Sequence, residues 1–172
     1  MTCAVFAIPG DKDQRTGGYI YDATVLRVLN AAGCAVAHLE LPDSFPTPSP
    51  EDTQTALKAL AEVPAICPII VDGLALGAMP PEGIASIDAP VIAMVHHPLG
   101  LETGVDPTTA KDLIRNEAAV LEHVAHVIVP SPHIAGTLTA DFGVSPARIT
   151  VASPGFARPD APQMPMSPPL IL

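Results

Sequence analysis

The chain is 172 residues long, 48% hydrophobic and 15% charged, with eight Lys and Arg against 18 Asp and Glu, a formal net charge of -10. That length holds one well-buried domain and is short for two. The acidity excludes a nucleic-acid backbone as partner, because such binding runs on clustered cations, and 3% aromatic content without Trp leaves little for base stacking.

No apolar run approaches the roughly 18 residues that cross a bilayer. The first residues lack the basic and apolar regions of a signal peptide, so a soluble chain without membrane association is expected. Cys3, Cys34 and Cys67 sit in apolar runs with no disulfide or metal spacing. They read as small core residues in a reducing compartment, and the expected localisation is cytoplasmic.

Residues 2–8 form a short apolar run ended by Pro9-Gly10, which predicts a first strand. A polar loop, Asp11 to Thr16, closes on Gly17-Gly18, after which Val25, Val28, Leu29 and Ala32 recur at helical spacing. Gly33 stops that helix, and residues 34–39 predict the second strand. Ser49-Pro50-Glu51-Asp52 starts a helix reaching about residue 62: Ser caps it, Pro takes the first helical position, and the acids face the macrodipole. Residues 66–71 predict the third strand. From Asp72-Gly73 to Met79, before Pro80-Pro81, small residues allow only a short irregular helix.

The fourth strand, residues 91–95, is apolar and rich in β-branched residues, and it stops abruptly at His96-His97-Pro98. A long loop leads to a helix over about residues 108–124. Its apolar stripe of Ala110, Leu113, Ile114, Ala118 and Leu121 includes Glu117, and a carboxylate there requires a partner. Residues 127–129 predict a fifth strand, Ser131-Pro132 a capped helix ended by Gly143, and residues 149–152 a sixth strand. From Pro154 onward, six prolines fall within sixteen residues, the composition of a stiff linker.

Strands alternating with helices at this spacing predict right-handed βαβ crossovers and an α/β fold: Rossmann-like, three layers α/β/α, with a mostly parallel sheet of about six strands. With the strand order 3-2-1-4-5-6, the winding would reverse between the first and fourth strands. The Gly17-Gly18 loop and the His96-His97 pair would then meet at the carboxyl edge, where such sheets bind ligands.

Paired glycines before a helix let backbone N–H groups approach an anion at the helix's positive end; a turn that needs positive φ would use them equally well. Their spacing is neither G-x-G-x-x-G nor a P-loop. His96 and His97 suit hydrogen bonding to a sugar or phosphate, general-base work, or the plainer role of capping a strand end. No acid or third His stands at ligand spacing from them, so no metal is expected. Asp72 and Glu102 fall in carboxyl-edge loops, where they can accept from hydroxyl groups or cap turns. Glu117 reads as a buried tether for loop backbone. Ser131 reads as a helix cap, since no G-x-S-x-G elbow surrounds it. His38, His123, His126 and His133 stand alone as surface or core-edge residues.

Five motifs in order carry a resemblance. They are Gly17-Gly18-Tyr19-Ile20-Tyr21-Asp22, Asp72-Gly73-Leu74-Ala75, Val95-His96-His97-Pro98-Leu99, Glu117 followed by residues 126–131, and Val151-Ala152-Ser153-Pro154-Gly155. Together they resemble the N-terminal domain of retaining glycosyltransferases of family four, over about residues 3–158. The resemblance implies two Rossmann-like domains in the GT-B arrangement. Residues 1–157 would be the acceptor-side N-terminal domain, and residues 158–172 a Pro-rich interdomain linker with the start of a C-terminal domain. It also implies transfer of a sugar, with retention, from a nucleotide-sugar to an unidentified acceptor, the nucleotide-sugar being a substrate and no cofactor being needed. Gly17 and Gly18 would lie against the donor diphosphate. His96 would approach the sugar, with His97 beside it as the second catalytic candidate, while Tyr19, Asp72, Glu102 and Glu117 would support the acceptor or its loops. Most of the nucleotide pocket belongs to the C-terminal domain, so the chain by itself is expected to be inactive. Two other readings stay open: a stand-alone flavodoxin-like domain that binds a small anion, and a sugar-nucleotide epimerase of the same two-domain fold, whose acid–base chemistry the His pair would suit.

Overall fold

The structure, a computed structural model, describes residues 4–155. Cys3 and the segment expected as an interdomain linker lie outside the described residues. Six strands, β1 (Ala4–Pro9), β2 (Val36–Leu41), β3 (Ile69–Asp72), β4 (Val91–Met94), β5 (His126–Val129) and β6 (Ile149–Val151), alternate with helices. The helices are α1 (Gly17–Ala31), α2 (Pro50–Ala61), the short α3 (Gly73–Leu76) and α4 (Pro81–Ala85), α5 (Pro107–Glu122) and α6 (Pro132–Asp141). All strand pairs are parallel, so the chain has the expected Rossmann-like α/β/α fold.

The strand order is β2-β1-β3-β4-β5-β6, which corrects the expected 3-2-1-4-5-6: β3, not β4, lies beside β1. The physical reason is burial. β3, Ile69-Ile70-Val71-Asp72, is buried at every residue and belongs inside the sheet, whereas β2 carries His38 and the exposed Glu40 and tolerates the edge. The winding therefore reverses between β1 and β3. Because right-handed crossovers moving in opposite directions across a sheet fall on opposite faces, α1 covers one face and the later helices the other. Phe6, Ile8, Ile70 and Met94 pack with Leu26 of α1. Ala7, Val71, Ala93 and Val127 pack with Leu60, Leu76, Ile84, Val120 and Leu138 of the opposite helices.

Local chemistry sets the helix starts. Ser49 Oγ accepts from the Asp52 amide, Asp106 Oδ1 from the Thr108 and Thr109 amides, and Ser131 Oγ from the Ile134 amide, each followed by a proline at the first helical position. Three local expectations shift. The buried stripe of α1 runs through Asp22 and Leu26, leaving Val28 exposed. Ile66 is 92% exposed, because Cys67-Pro68 delays β3 until Ile69. Cys34 is exposed in the turn that Gly33 opens at φ +88°, before β2 begins at Val36; of the two described cysteines Cys67 is the buried one.

Candidate functional site

The carboxyl ends of β1, β3 and β4 open onto a cavity of about 200 Å³ lined by Thr16, Gly18, Tyr19, Asp72, Gly73, Leu74, His96, His97 and Glu102. Of the residues singled out from sequence, Gly18, Tyr19, Asp72, His96, His97 and Glu102 meet there. Gly17 stands one residue away, at the start of α1, and Glu117 lies behind the loop after β4.

Gly17 and Gly18 are helical and neither has a positive φ, so a turn conformation does not explain them. Space explains Gly18: a Cβ there would sit 3.3 Å from His96 Cδ2, tighter than an ordinary contact. Gly73 has the same logic, since its Cβ would come within 3.0 Å of the Met94 carbonyl oxygen, where α3 starts against β4. Thr16 at the N-cap of α1 makes no side-chain cap bond, and no acid occupies the first turn. Unlike α2, α5 and α6, whose N-cap side chains accept from first-turn amides, α1 thus presents uncapped amides at its positive end. Tyr19 crosses back to donate to the Pro9 carbonyl at 3.0 Å, and burial raises its hydroxyl pKa.

His96 is held from below. Its Nε2 lies 2.8 Å from Asp22 Oδ1 and 3.8 Å from Asp72 Oδ2, and the Tyr21 ring meets it edge-on at 5.1 Å. Asp22 is fully buried and Asp72 is 3% exposed, and a carboxylate oxygen of one lies within 4.8 Å of a carboxylate oxygen of the other. Asp72 also caps α3, its Oδ1 accepting from the Leu74 amide at 2.8 Å. The 2.8 Å contact has the distance of an ion pair, yet burial pushes both partners toward neutrality. Asp22 rises to about 6 through burial, with the neighbouring Asp72 carboxyl working the other way. Burial, and then Asp22, drive Asp72 well above the usual carboxylate range, and burial lowers His96. Around neutral pH the contact is a carboxylate–imidazole hydrogen bond, not a salt bridge.

Asp22 is the residue that sequence spacing missed. It falls at i, i+4 and i+7 with Leu26 and Leu29, a carboxylate inside an apolar stripe, which is the same signal that singled out Glu117. Asp22, Asp72 and His96 place three ligand-type atoms within 4.8 Å of one another, although they are far apart in sequence. We assign no metal to them: Asp72 Oδ1 is taken by the Leu74 amide, and His96 Nε2 faces Asp22 at direct hydrogen-bond distance.

Glu117 is 5% exposed and accepts from the Leu99 amide at 2.9 Å and the Gly100 amide at 3.1 Å, hanging the loop that carries His97 and Glu102 on α5. Burial raises its pKa against those two bonds. His97 and Glu102 are exposed at the rim. His126 pairs with Thr150 at 2.8 Å, and His38, His123 and His133 lie outside the cavity lining.

Fold and site together define the class: a Rossmann-like α/β domain with an open helix N-terminus and a buried acid–imidazole cluster at the carboxyl edge of its sheet. The family model described as Glycosyltransferase Family 4 matches residues 28–157, and the chain belongs to that family. Membership supports a transferase that moves a glycosyl group. The matched span takes in Asp72, His96, His97, Glu102 and Glu117 and begins after Gly17, Gly18, Tyr19 and Asp22. No curated protein matches the chain. Among the described residues no helix is long and apolar enough to cross a membrane.

Proposed function

We propose that this domain is the acceptor-side half of an enzyme that transfers a sugar, with retention, from a nucleotide-sugar donor to an acceptor. The observation that carries the reading is the approach of His96 to the uncapped start of α1, with the missing Gly18 Cβ making room for the ring. A diphosphate over the first-turn amides would be stabilised as negative charge develops on it, and His96 would stand beside the attached sugar. His97 and Glu102 at the rim, with Tyr19 and Asp72 below them, would contact the acceptor or shape its loop.

No Lys or Arg lines the crevice among the described residues. In this reading the cations that a leaving diphosphate requires come from a second Rossmann-like domain, joined through the Pro-rich segment and closing over the carboxyl edge. The nucleotide-sugar is a substrate, and no cofactor or metal enters the reaction. A cytoplasmic setting fits the exposed thiol of Cys34.

The test is Gly18→Val against Gly18→Ala in the full-length native protein, with nucleotide-sugar binding followed by calorimetry. Ala needs His96 to give by a few tenths of an ångström. The branched Val drives a methyl into the ring, about 1–3 kcal/mol of overpacking, which is on the order of 10- to 100-fold in affinity. Equal binding by a folded Val variant would remove the glycine from the donor site. An intact native mass near 17.7 kDa instead of about twice that value would favour the stand-alone small-anion domain.

A further inference from the structure

We propose that Asp22 and Asp72 form a carboxyl pair sharing one proton, and that this pair fixes His96 as the Nε2–H tautomer, leaving Nδ1 as the ring's free acceptor. The assignment follows from a count of donors. Asp22 Oδ2 is buried and no protein donor reaches it among the described residues. An ionised oxygen left so is expensive, and the one group placed to supply a hydrogen is the neighbouring acid, Asp72. Asp72 Oδ1 is already taken by the Leu74 amide, so Oδ2 is its protonatable oxygen. A proton there donates to Asp22, which keeps the negative charge. Having no proton of its own, Asp22 Oδ1 can only accept at the 2.8 Å contact, so His96 Nε2 must carry the hydrogen.

The surroundings agree. Two buried carboxyls this close cannot both ionise, and burial with mutual repulsion holds Asp72 as the protonated member while Asp22 titrates near 6. The other titratable groups facing the cluster are Tyr19 and Tyr21 from α1, and His97 and Glu102 from the loop after β4. No cation competes for the Asp22 charge among the described crevice residues. The Cδ2 and Nε2 edge of the ring faces Gly18 and Asp22, and Nδ1 makes no hydrogen bond to the protein among the described residues. The functional use rests on the glycosyltransferase reading: a neutral His96 would accept from a substrate hydroxyl at Nδ1, not protonate a leaving group. Asp22 and Asp72 are then positioning residues.

The test is nitrogen NMR of the histidine-labelled protein near pH 7, with His96→Gln to assign the ring. The expected spectrum has a protonated Nε2 and an unprotonated Nδ1, and it needs no carboxyl variant to fold. Asp72→Asn is expected to keep that tautomer, because its carbonyl can accept from Leu74 while its amide donates to Asp22 as the acid did. Asp22→Asn removes the charge while its carbonyl can still accept from Nε2, so it is expected to lower the ring's pKa further without changing the tautomer. A wild-type ring protonated at Nδ1, or at both nitrogens, would overturn the proposal, as would loss of the tautomer in Asp72→Asn. Titration with a nucleotide-sugar separates the two readings: the expected tautomer with an Nδ1 signal that ignores the donor in the full-length protein would sink the substrate reading and leave the carboxyl pair standing.

Discussion

Removing the Glu117 carboxylate should loosen one loop by a calculable amount. Its two oxygens accept from the amides of Leu99 and Gly100, both buried, and a Cβ on Gly77 would come within 2.9 Å of Oε1, so the packing leaves no room for a substituting water. Glu117→Gln keeps one acceptor and turns an NH2 group toward the second amide. One hydrogen bond is lost and a buried donor is left unpaired, about 1–3 kcal/mol. Glu117→Leu orphans both amides. Two bonds to a charged acceptor contribute roughly 1.5–3 kcal/mol each, offset by relief from burying a carboxylate, so a net loss of about 2–4 kcal/mol is expected. Urea unfolding measures the loss, and amide hydrogen exchange localises it, with protection falling first at Leu99 and Gly100. A Glu117→Gln protein within about 0.5 kcal/mol of wild type, with both amides still protected, would show that the loop is held by something else.

The buried acids also set a pH dependence of stability. Asp22 and Asp72 have folded-state pKa values above their unfolded ones, so their contribution is complete below about pH 4 and is lost as pH rises through about 6 for Asp22, on the order of 3 kcal/mol through that group. Asp52 and Asp106 are shifted down and act only at more acid pH, while above about pH 5 the raised Glu117 adds to the fall and His38 and His96, both shifted down, oppose it. Between pH 5 and 8 Asp72→Asn should lose less thermal stability than wild type, because the variant lacks the raised acid; an identical pH dependence in the two proteins would contradict the protonated pair. Tyr21→Phe keeps the ring against His96 and deletes only the 2.6 Å bond to the Ala152 carbonyl, so a loss of about 1 kcal/mol is expected in urea unfolding. An unchanged midpoint would mean that water serves that carbonyl equally well.

Most of the architecture was legible from local chemistry. Ser49 and Ser131, each followed by proline, are helix starts that no tertiary contact needed to decide, and the alternation of apolar runs with such caps leads to a parallel sheet; Asp106-Pro107 carries the same signature, which sequence reasoning missed. Strand order was harder. It depended on weighing the wholly apolar β3 against the polar-studded β2, a comparison between elements that spacing within either one does not supply. The site was half visible. His96 and Gly18 stand out at an element's end and start, but Asp22 joins them only when α1, β3 and β4 are side by side, and no local spacing encodes a contact between residues 22 and 96. Glu117 and Asp22 carry the same sign, a carboxylate among apolar neighbours. What such a residue holds is a property of the assembled fold.

The bond from Tyr21 to Ala152 spans 131 residues. At about 5–20 residues per second, a ribosome that has made Tyr21 needs roughly 7–26 seconds to make its partner. Arg148, which donates to the Leu121 and Val124 carbonyls, arrives equally late and ties β6 to the end of α5. The helix bearing Gly18 and Asp22 is thus among the first elements to emerge and the last to be anchored on the Tyr21 side. A nascent chain that has passed Glu102 but not reached Ala152 carries every residue of the crevice lining and still lacks the hydroxyl tie that holds α1 over it. Completion of the site waits on Ala152, made 50 residues after Glu102, the last residue of the lining.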